Sequence, residues 1–586
     1  MKFLRNLLAA ILGCLIAFGI MFVMFIIFAS LLSSGDDSVS VKKNSILELK
    51  LNNPVQDYVG NGDADPFSGI FEVTQGLDEI LHAIKVAKND DDIRGISLNN
   101  VFVMAGLAQT KEIRDALNDF KESGKFVYAY ADFYMQKDYY LASVADSVFL
   151  NPVGAVDFKG LSSEVLFFKD LQEKTGIKIE VIRHGKYKSA VEPFLANEMS
   201  DANRIQIKEL IVSLWDNMIE DISTGRKRSR ESLNVIADTL GGRTAAHAKA
   251  SGLVDDIVFY DQYEQVIKNS LGLESKDALN TIELTDYVTR SNAKKLNTGS
   301  DKIAVIYAQG EILYGEGSQT TIGQGMMVEA IRRAKKDDKV KAIVLRVDSP
   351  GGSALTSDII WRELELAKAE KPFVVSMGNV AASGGYYIAA GAQKIFAEPS
   401  TITGSIGVFG TVPNISELAA DIGVNAEQVG TNKNSVDYSL FEPMNDTFRN
   451  TVQEGIEEVY DTFLERVAKG REITVAQADS LAQGRVWSGT DAKRLGLVDE
   501  LGNLDDAIAE AAKLADVKEY GIRKYPKYKT GLEKLMEDLG GVSTKARQDA
   551  IEQEIGTEAY QILKQIKAVM QQKGTQARMP FVLDIK

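Results

Sequence analysis

Two glycine-rich turns carry residue types that could do chemistry together. The first is Asp348-Ser-Pro-Gly-Gly-Ser353, and the second is Gly378-Asn-Val-Ala-Ala-Ser-Gly-Gly-Tyr386. Each follows a short apolar, β-branched run that reads as a strand. Glycine lets the backbone approach a ligand closely and take positive φ. A serine on a sharp strand-to-helix turn, here Ser383, is presented outward as a nucleophile. The next amide, that of Gly384, then lies at a helix start and faces developing negative charge. The amide of Gly352 could supply a second donor. A nucleophile beside an oxyanion hole is what acyl transfer needs. The bland alternative for each turn is a phosphate cradle or a plain tight turn. Neither carries the Gly-Lys-Ser/Thr of a P-loop, and the spacing fails the dinucleotide fingerprint.

A nucleophilic serine needs a base. The histidines are His82, His184 and His247, and none lies in the half of the chain that holds these turns. His82 falls in a helical pattern and His247 in Ala-Ala-His-Ala, so both read as packing or surface residues. Lysine can replace histidine when burial lowers its pKa from about 10.4 toward neutrality, as in Ser–Lys variants of the catalytic triad. Lys188 is a candidate, in Gly185-Lys-Tyr-Lys-Ser-Ala-Val-Glu-Pro-Phe194. Nothing in its local sequence separates Lys188 from an ordinary solvated charge.

The elements that must position these residues are written twice. Ala87-Lys-Asn-Asp-Asp-Asp-Ile93 reads like Ala334-Lys-Lys-Asp-Asp-Lys-Val340, at an offset of 334 − 87 = 247. Asp138-Tyr-Tyr-Leu-Ala142 matches Gly385-Tyr-Tyr-Ile-Ala389 at 247, and Gly252-Leu-Val-Asp255 matches Gly496-Leu-Val-Asp499 at 244. This is the mark of a tandem duplication. In the second copy, 303–307, 342–347 and 373–376 read as strands, with amphipathic helices over 326–336 and 357–369. Alternation of this kind implies an α/β fold with buried, largely parallel strands. The expected organisation is a first repeat over 45–273, a polar linker over 274–301, a second repeat over 302–516 and a tail over 517–586. The tail is helical in pattern over 532–572.

The chain has 586 residues, a net charge of −15, 45% hydrophobic residues and one cysteine. That length exceeds the roughly 250–300 residues at which single cores stop growing. The hydrophobic fraction excludes wholesale disorder. One cysteine excludes an intrachain disulfide, and three histidines argue against a His-rich metal centre. The acidic balance argues against nucleic acid as a partner. Leu7 to Leu32 contains no charged residue, and about 20 apolar residues span a bilayer. Residues 1–35 therefore read as a retained transmembrane anchor, with Lys2 and Arg5 on the cytoplasmic side and the body exported, in a bacterial periplasm. A cleaved signal peptide is the alternative, and no convincing cleavage site follows the apolar run.

Taken together, Asp348-Ser-Pro-Gly-Gly, Asn379-Val-Ala-Ala-Ser-Gly-Gly-Tyr-Tyr, Thr403-Gly-Ser-Ile-Gly and Tyr187-Lys-Ser-Ala-Val-Glu-Pro-Phe resemble the signal peptide peptidase A family in its long, duplicated form. The last motif is specific to that family; the first two are shared more loosely with Clp-type peptidases and crotonases. The resemblance implies a Clp/crotonase-like fold in each half and a membrane-bound serine endopeptidase with a Ser–Lys dyad. It implies that Ser383 is the nucleophile, Lys188 the general base, Gly352 and Gly384 the oxyanion donors, and Ser405 the residue that orients the lysine. It also implies hydrophobic peptide substrates (signal-peptide remnants in the membrane), a homotetrameric ring, and no metal or other cofactor.

The repeat bears on these assignments. At 383 − 247 = 136 the first copy has Gln136, and it lacks Ser-Pro-Gly-Gly, so it holds no nucleophile. Lys433, in Gly430-Thr-Asn-Lys433, aligns with Lys188 at an offset of 245 and is a rival base. The family motif favours Lys188, and one composite site per chain then follows. Two other functions compete: a crotonase-like acyl-thioester enzyme, and a membrane-anchored scaffold whose catalysis has decayed.

Overall fold

The computed structural model describes residues 2–33, 41–60, 75–292, 298–436, 438–528 and 576–579. Its two main sheets share one plan. The first runs in the order Asp256–Ile257, Ser147–Leu150, Phe126–Ala131, Ile93–Asn99, Ser45–Leu49, Thr281–Glu283, all parallel. The second has eight strands: six run Glu500–Leu501, Lys394–Ala397, Phe373–Ala382, Val340–Ser349, Asp301–Gln309, Tyr520–Tyr525, again parallel, while Ile402–Gly404 also pairs with Phe373–Ala382 and carries Val486–Ser488 antiparallel beside it. Three strand starts differ by 340 − 93, 373 − 126 and 394 − 147, each 247, and the fourth by 500 − 256 = 244. The offset seen in the sequence is thus an offset between equivalent sheet positions.

Central parallel strands are covered on both faces, so they read as unbroken apolar runs rather than alternating ones. Ile303 to Ala308 and Ala342 to Val347 are buried at every residue. Helices Gln324–Lys336 and Ala354–Lys368 supply the crossovers.

Two stretches are more structured than their composition suggests. Within the expected linker, Thr281–Glu283 adds an edge strand to the first sheet and Leu284–Asn292 forms a helix. The cause is local: Ile282, Leu284 and Tyr287 are apolar and buried in the first core. Within the expected tail, Tyr520–Tyr525 completes the second sheet against Asp301–Gln309. The helical pattern over 532–572 lies outside the described residues.

The copies interlock. Helix Asp201–Arg226 belongs to the first copy, and its Leu210 and Leu214 pack with Ile402 and Val486 of the second. Buried Arg346, in the middle of the second copy's strand, pairs with Asp57 and Glu112 of the first. A third sheet also crosses the boundary, in the order Thr321–Gly323, Glu311–Leu313, Gly351–Ser353, Gln576–Arg578, Val408–Asn414, Lys178–His184. Its last strand is from the first copy and runs antiparallel along Val408–Asn414.

The expected anchor falls on helix Lys2–Ser33, several of whose side chains lie outside the described residues. Among the described residues no helix is long and apolar enough to cross a membrane.

Candidate active site

Strand Phe373–Ala382 ends in a sharp elbow. Ser383 sits at φ 56° and ψ −116°, and helix Gly384–Ala389 begins at the next residue. Positive φ at a non-glycine residue costs on the order of 1–3 kcal/mol and persists only where the surroundings hold it. Here the Ser383 amide donates to Gly404 O at 2.8 Å, and Ser383 O accepts from the Tyr387 amide at 2.8 Å. Adjoining strand Ile402–Gly404 ties the elbow down by pairing with Val380–Ala382. The Gly384 amide is in the first helical turn, where backbone donors lack an intrahelical acceptor. Gly352, on strand Gly351–Ser353, is buried against Glu311–Leu313, and a Cβ there would lie 2.0 Å from Ile312 O. Only glycine fits that approach.

Lys188 comes from the first copy, four residues past strand Lys178–His184. That strand's pairing with Val408–Asn414 delivers the lysine across the boundary between copies. Its Nζ lies 2.9 Å from Ser383 Oγ, 3.0 Å from Ser405 Oγ and 3.1 Å from Ser405 O. Lys188, Ser383 and Ser405 are each 0% exposed. Second-copy glycines make room for the lysine: a Cβ on Gly484 would fall 2.6 Å from the Lys188 Cβ, and one on Gly407 3.3 Å from its Cδ.

Burial sets the charge state. Desolvation holds the Lys188 pKa well below its ordinary value, and among the described residues no neighbouring carboxylate opposes it. Removing an ammonium from water without a counter-ion favours the neutral amine. A neutral amine has two N–H bonds and one lone pair. The N–H bonds suit the two Ser405 oxygens, which leaves the lone pair for the Ser383 hydroxyl proton. Ser405 itself is held at φ 50°, with its amide donating to Arg485 O at 2.6 Å.

The other candidates are elsewhere. His184 stacks on Tyr460 at 4.1 Å between ring centroids. His82 Nε2 lies 3.0 Å from Ser291 O, and His247 contacts Thr244 and Arg243. Lys433 is exposed. The structure therefore brings together Ser383, Lys188, Ser405, Gly352 and Gly384, all within one chain.

Sequence reasoning missed two supports. One is the buried Arg346–Asp57–Glu112 cluster, signalled only by a charge inside the run Leu345-Arg346-Val347. Asp57 also accepts from Gln109 Nε2 at 2.8 Å, and the Gln109 amide donates to Asn379 Oδ1 at 3.2 Å. Asn379 in turn donates to Asp348 at 3.1 Å. The two glycine-rich turns are thereby braced from the first copy. Asp348 is pushed up to about 7 by burial and by nearby Asp57. The second support is strand Gln576–Arg578, for which the sequence offers no pattern.

The model of peptidase family S49 matches the chain twice, at residues 119–274 and 365–518. A protein described as protease 4 from Haemophilus influenzae is 39% identical over 75% of this chain and 73% of its own length. Another protease 4, from Salmonella typhi, is 40% identical over 79% of this chain and 76% of its own length. The chloroplastic serine protease SPPA of Arabidopsis thaliana is 32% identical over 81% of this chain and 70% of its own length.

Proposed function

This chain belongs to peptidase family S49 and is a serine-type peptidase; from that premise we propose that it is a membrane-anchored endopeptidase whose Ser383 is activated by Lys188 and whose substrates are apolar peptides, signal-peptide remnants among them. The observation that carries the reading is the 2.9 Å approach of Lys188 Nζ to Ser383 Oγ in a buried site with no counter-ion among the described residues.

The steps follow from the atoms present. Neutral Lys188 takes the Ser383 proton as the oxygen attacks the scissile carbonyl. The Gly352 and Gly384 amides receive the oxyanion. Protonated Lys188 gives its proton to the departing amine. Water then attacks the ester carbon and loses a proton to Lys188, which returns it to Ser383 Oγ as the acyl–oxygen bond breaks and the acyl group leaves as the acid. Ser405 keeps Nζ aimed at Ser383 throughout. A crotonase-like thioester enzyme or a decayed scaffold has no use for a buried neutral lysine on a strained serine.

Membrane anchoring rests on the uncharged run Leu7 to Leu32; with Lys2 and Arg5 kept on the cytoplasmic side, the body would lie on the far side of a bacterial inner membrane. A homotetramer is part of the same reading. The exposed apolar residues Phe102, Met104, Phe133, Met135 and Val153 of the first copy support a surface that a second copy would cover.

The test is hydrolysis of a fluorogenic apolar peptide, patterned on a signal-peptide core, by the detergent-solubilised chain. The reading expects turnover in wild type and in Lys433→Ala, and none above background in Ser383→Ala or Lys188→Ala. Turnover that survives Lys188→Ala contradicts it.

A further inference from the structure

The first copy has a slot that matches the one beside Ser383. In the second copy an extended segment fills it: strand Gln576–Arg578 lies antiparallel between Gly351–Ser353 and Val408–Asn414, and the Met579 amide donates to Pro350 O at 2.6 Å. The offset of 247 carries 349–353 and 408–414 back to 102–106 and 161–167. The register holds beside the slot, since Tyr134 bridges Val156 as Ala381 pairs with Thr403.

Both edges of the first-copy slot are open. Val103 stands where Pro350 does, and among the described residues nothing donates to the carbonyls of Phe102, Val103 or Met104. The backbone of 161–167 likewise bonds to none of the described residues. Unpaired extended edges are templates for another strand. A cavity of about 390 Å³ touches both edges, with apolar walls from Phe102, Leu107, Met135, Leu161, Val380 and Ile402. Ser400 also lines it; its Oγ is buried and has no hydrogen-bond partner among the described residues. The corner that cuts in the second copy is closed here. Gln136 takes the place of the nucleophile, and Lys137 Nζ donates to Ala105 O at 2.8 Å.

We propose that this slot is a second substrate site, which binds an extended apolar peptide as an added strand and does not cut it; the choice of occupant rests on the substrate reading above. Peptide amides pair with the open carbonyls, Val103 O taking the part of Pro350 O, while apolar side chains enter the cavity. Ser400 Oγ supplies a hydrogen bond inside it. The slot takes Phe102 and Met135 from the apolar face described above and leaves Phe133 and Val153 to a second copy. Val380 and Ile402 belong to the second copy of the repeat, so the bound peptide lies against the strand that leads to Ser383.

Photo-cross-linking tests this. The probe is an apolar peptide patterned on a signal-peptide core and carrying benzoylphenylalanine, irradiated with the detergent-solubilised Ser383→Ala chain so that it is not cut. Adducts mapped by mass spectrometry are expected on 102–107 and 161–167, and excess unlabelled peptide should compete them away. Phe102→Asp and Met135→Asp each put a carboxylate on the apolar wall and should lower the yield of these adducts at least about tenfold, because an unpaired charge is costly away from water. Both side chains are half exposed, at 49% and 45%, so melting curves should stay those of the parent chain. Adducts there that persist in both variants overturn the second site. Absence of first-copy adducts, while the chain with Ser383 hydrolyses the same peptide, overturns it and leaves the peptidase reading standing. First-copy adducts that form only after the assembly is dissociated put a second copy of the chain in the slot and overturn it too. A chain that neither gives adducts nor hydrolyses the peptide overturns both readings.

Discussion

The two copies hold the same sheet and have diverged at its functional corner. In the second, strand Phe373–Ala382 runs on to the strained elbow at Ser383. In the first, the equivalent strand stops at Ala131, and helix Gln136–Ala142 follows a Met135 of ordinary φ, −68°. The offset of 247 places Gln136 against Ser383, Lys137 against Gly384 and Ala105 against Gly352. Gln136 accepts from the amides of Lys159 and Gly160 at 3.0 and 2.8 Å, and donates to Gly160 O at 2.9 Å. Lys137 Nζ donates to Ala105 O at 2.8 Å. What would be the oxyanion hole is therefore closed by a side chain bonded to its own rim. A cavity of about 390 Å³ remains beside it, lined by Phe102, Leu107, Met135 and Gln136 among others. The two copies divide the labour. In the proposed mechanism one holds the nucleophile on a strained elbow, and the other, which has neither, supplies the base through strand Lys178–His184.

The largest expected effect breaks that division at its joint. Ser383→Ala or Lys188→Ala should lower kcat for peptide hydrolysis by at least about 10³-fold, since each removes a reacting group. Gln136→Ala, at the matching place in the first copy, should leave kcat within about twofold, because a residue that touches no reacting atom carries little transition-state energy. A large effect at Gln136 would mean that the first copy is not catalytically silent.

Next is the oxyanion corner. Gly352→Ala puts a Cβ 2.0 Å from Ile312 O, displaces the amide and should cost about 10²–10³ in kcat, the range for losing one donor. KM for a short peptide should change much less, which a full rate–concentration series checks.

Smaller again is Ser405→Ala. It removes one acceptor from Lys188 Nζ but leaves Ser405 O in place. About a tenfold fall in kcat/KM is expected, typical of losing one orienting hydrogen bond of about 1.4 kcal/mol.

The pH dependence sharpens the role of burial. The proposed mechanism needs neutral Lys188, so kcat/KM should rise with pH through its depressed pKa and level off well below the ordinary lysine range near about 10.4. Stability carries the same sign. Between the folded value and the ordinary one, the unfolded chain binds more protons, so stability rises with pH, by up to about 1.4 kcal/mol per unit. Lys188→Met should flatten that slope in melts recorded across the interval.

Much of this was legible in the residues because the signals were local or repeated. The duplication came from the spacing of short motifs, and the paired glycine turns fixed where a nucleophile and its amides belong. The base was not legible from its surroundings, since the burial of Lys188 arises from Gly407, Gly484 and Ser405, more than 200 residues away in sequence. Composition misled at Thr281–Glu283, where a polar stretch hides the two or three apolar side chains that a strand and helix need to dock. The buried Arg346 cluster depends on Asp57 and Glu112 meeting it from the other copy. The strand at Gln576–Arg578 owes its pairing to the slot it fills.

The most direct test of the central claim is covalent labelling with a fluorophosphonate, read by the mass of the modified peptide. The account predicts one adduct, on Ser383, formed fast in wild type and in Gln136→Ala and lost in Ser383→Ala and Lys188→Ala. An adduct on another residue, or undiminished labelling of Ser383 in Lys188→Ala, would contradict a site built from one copy's serine and the other copy's lysine.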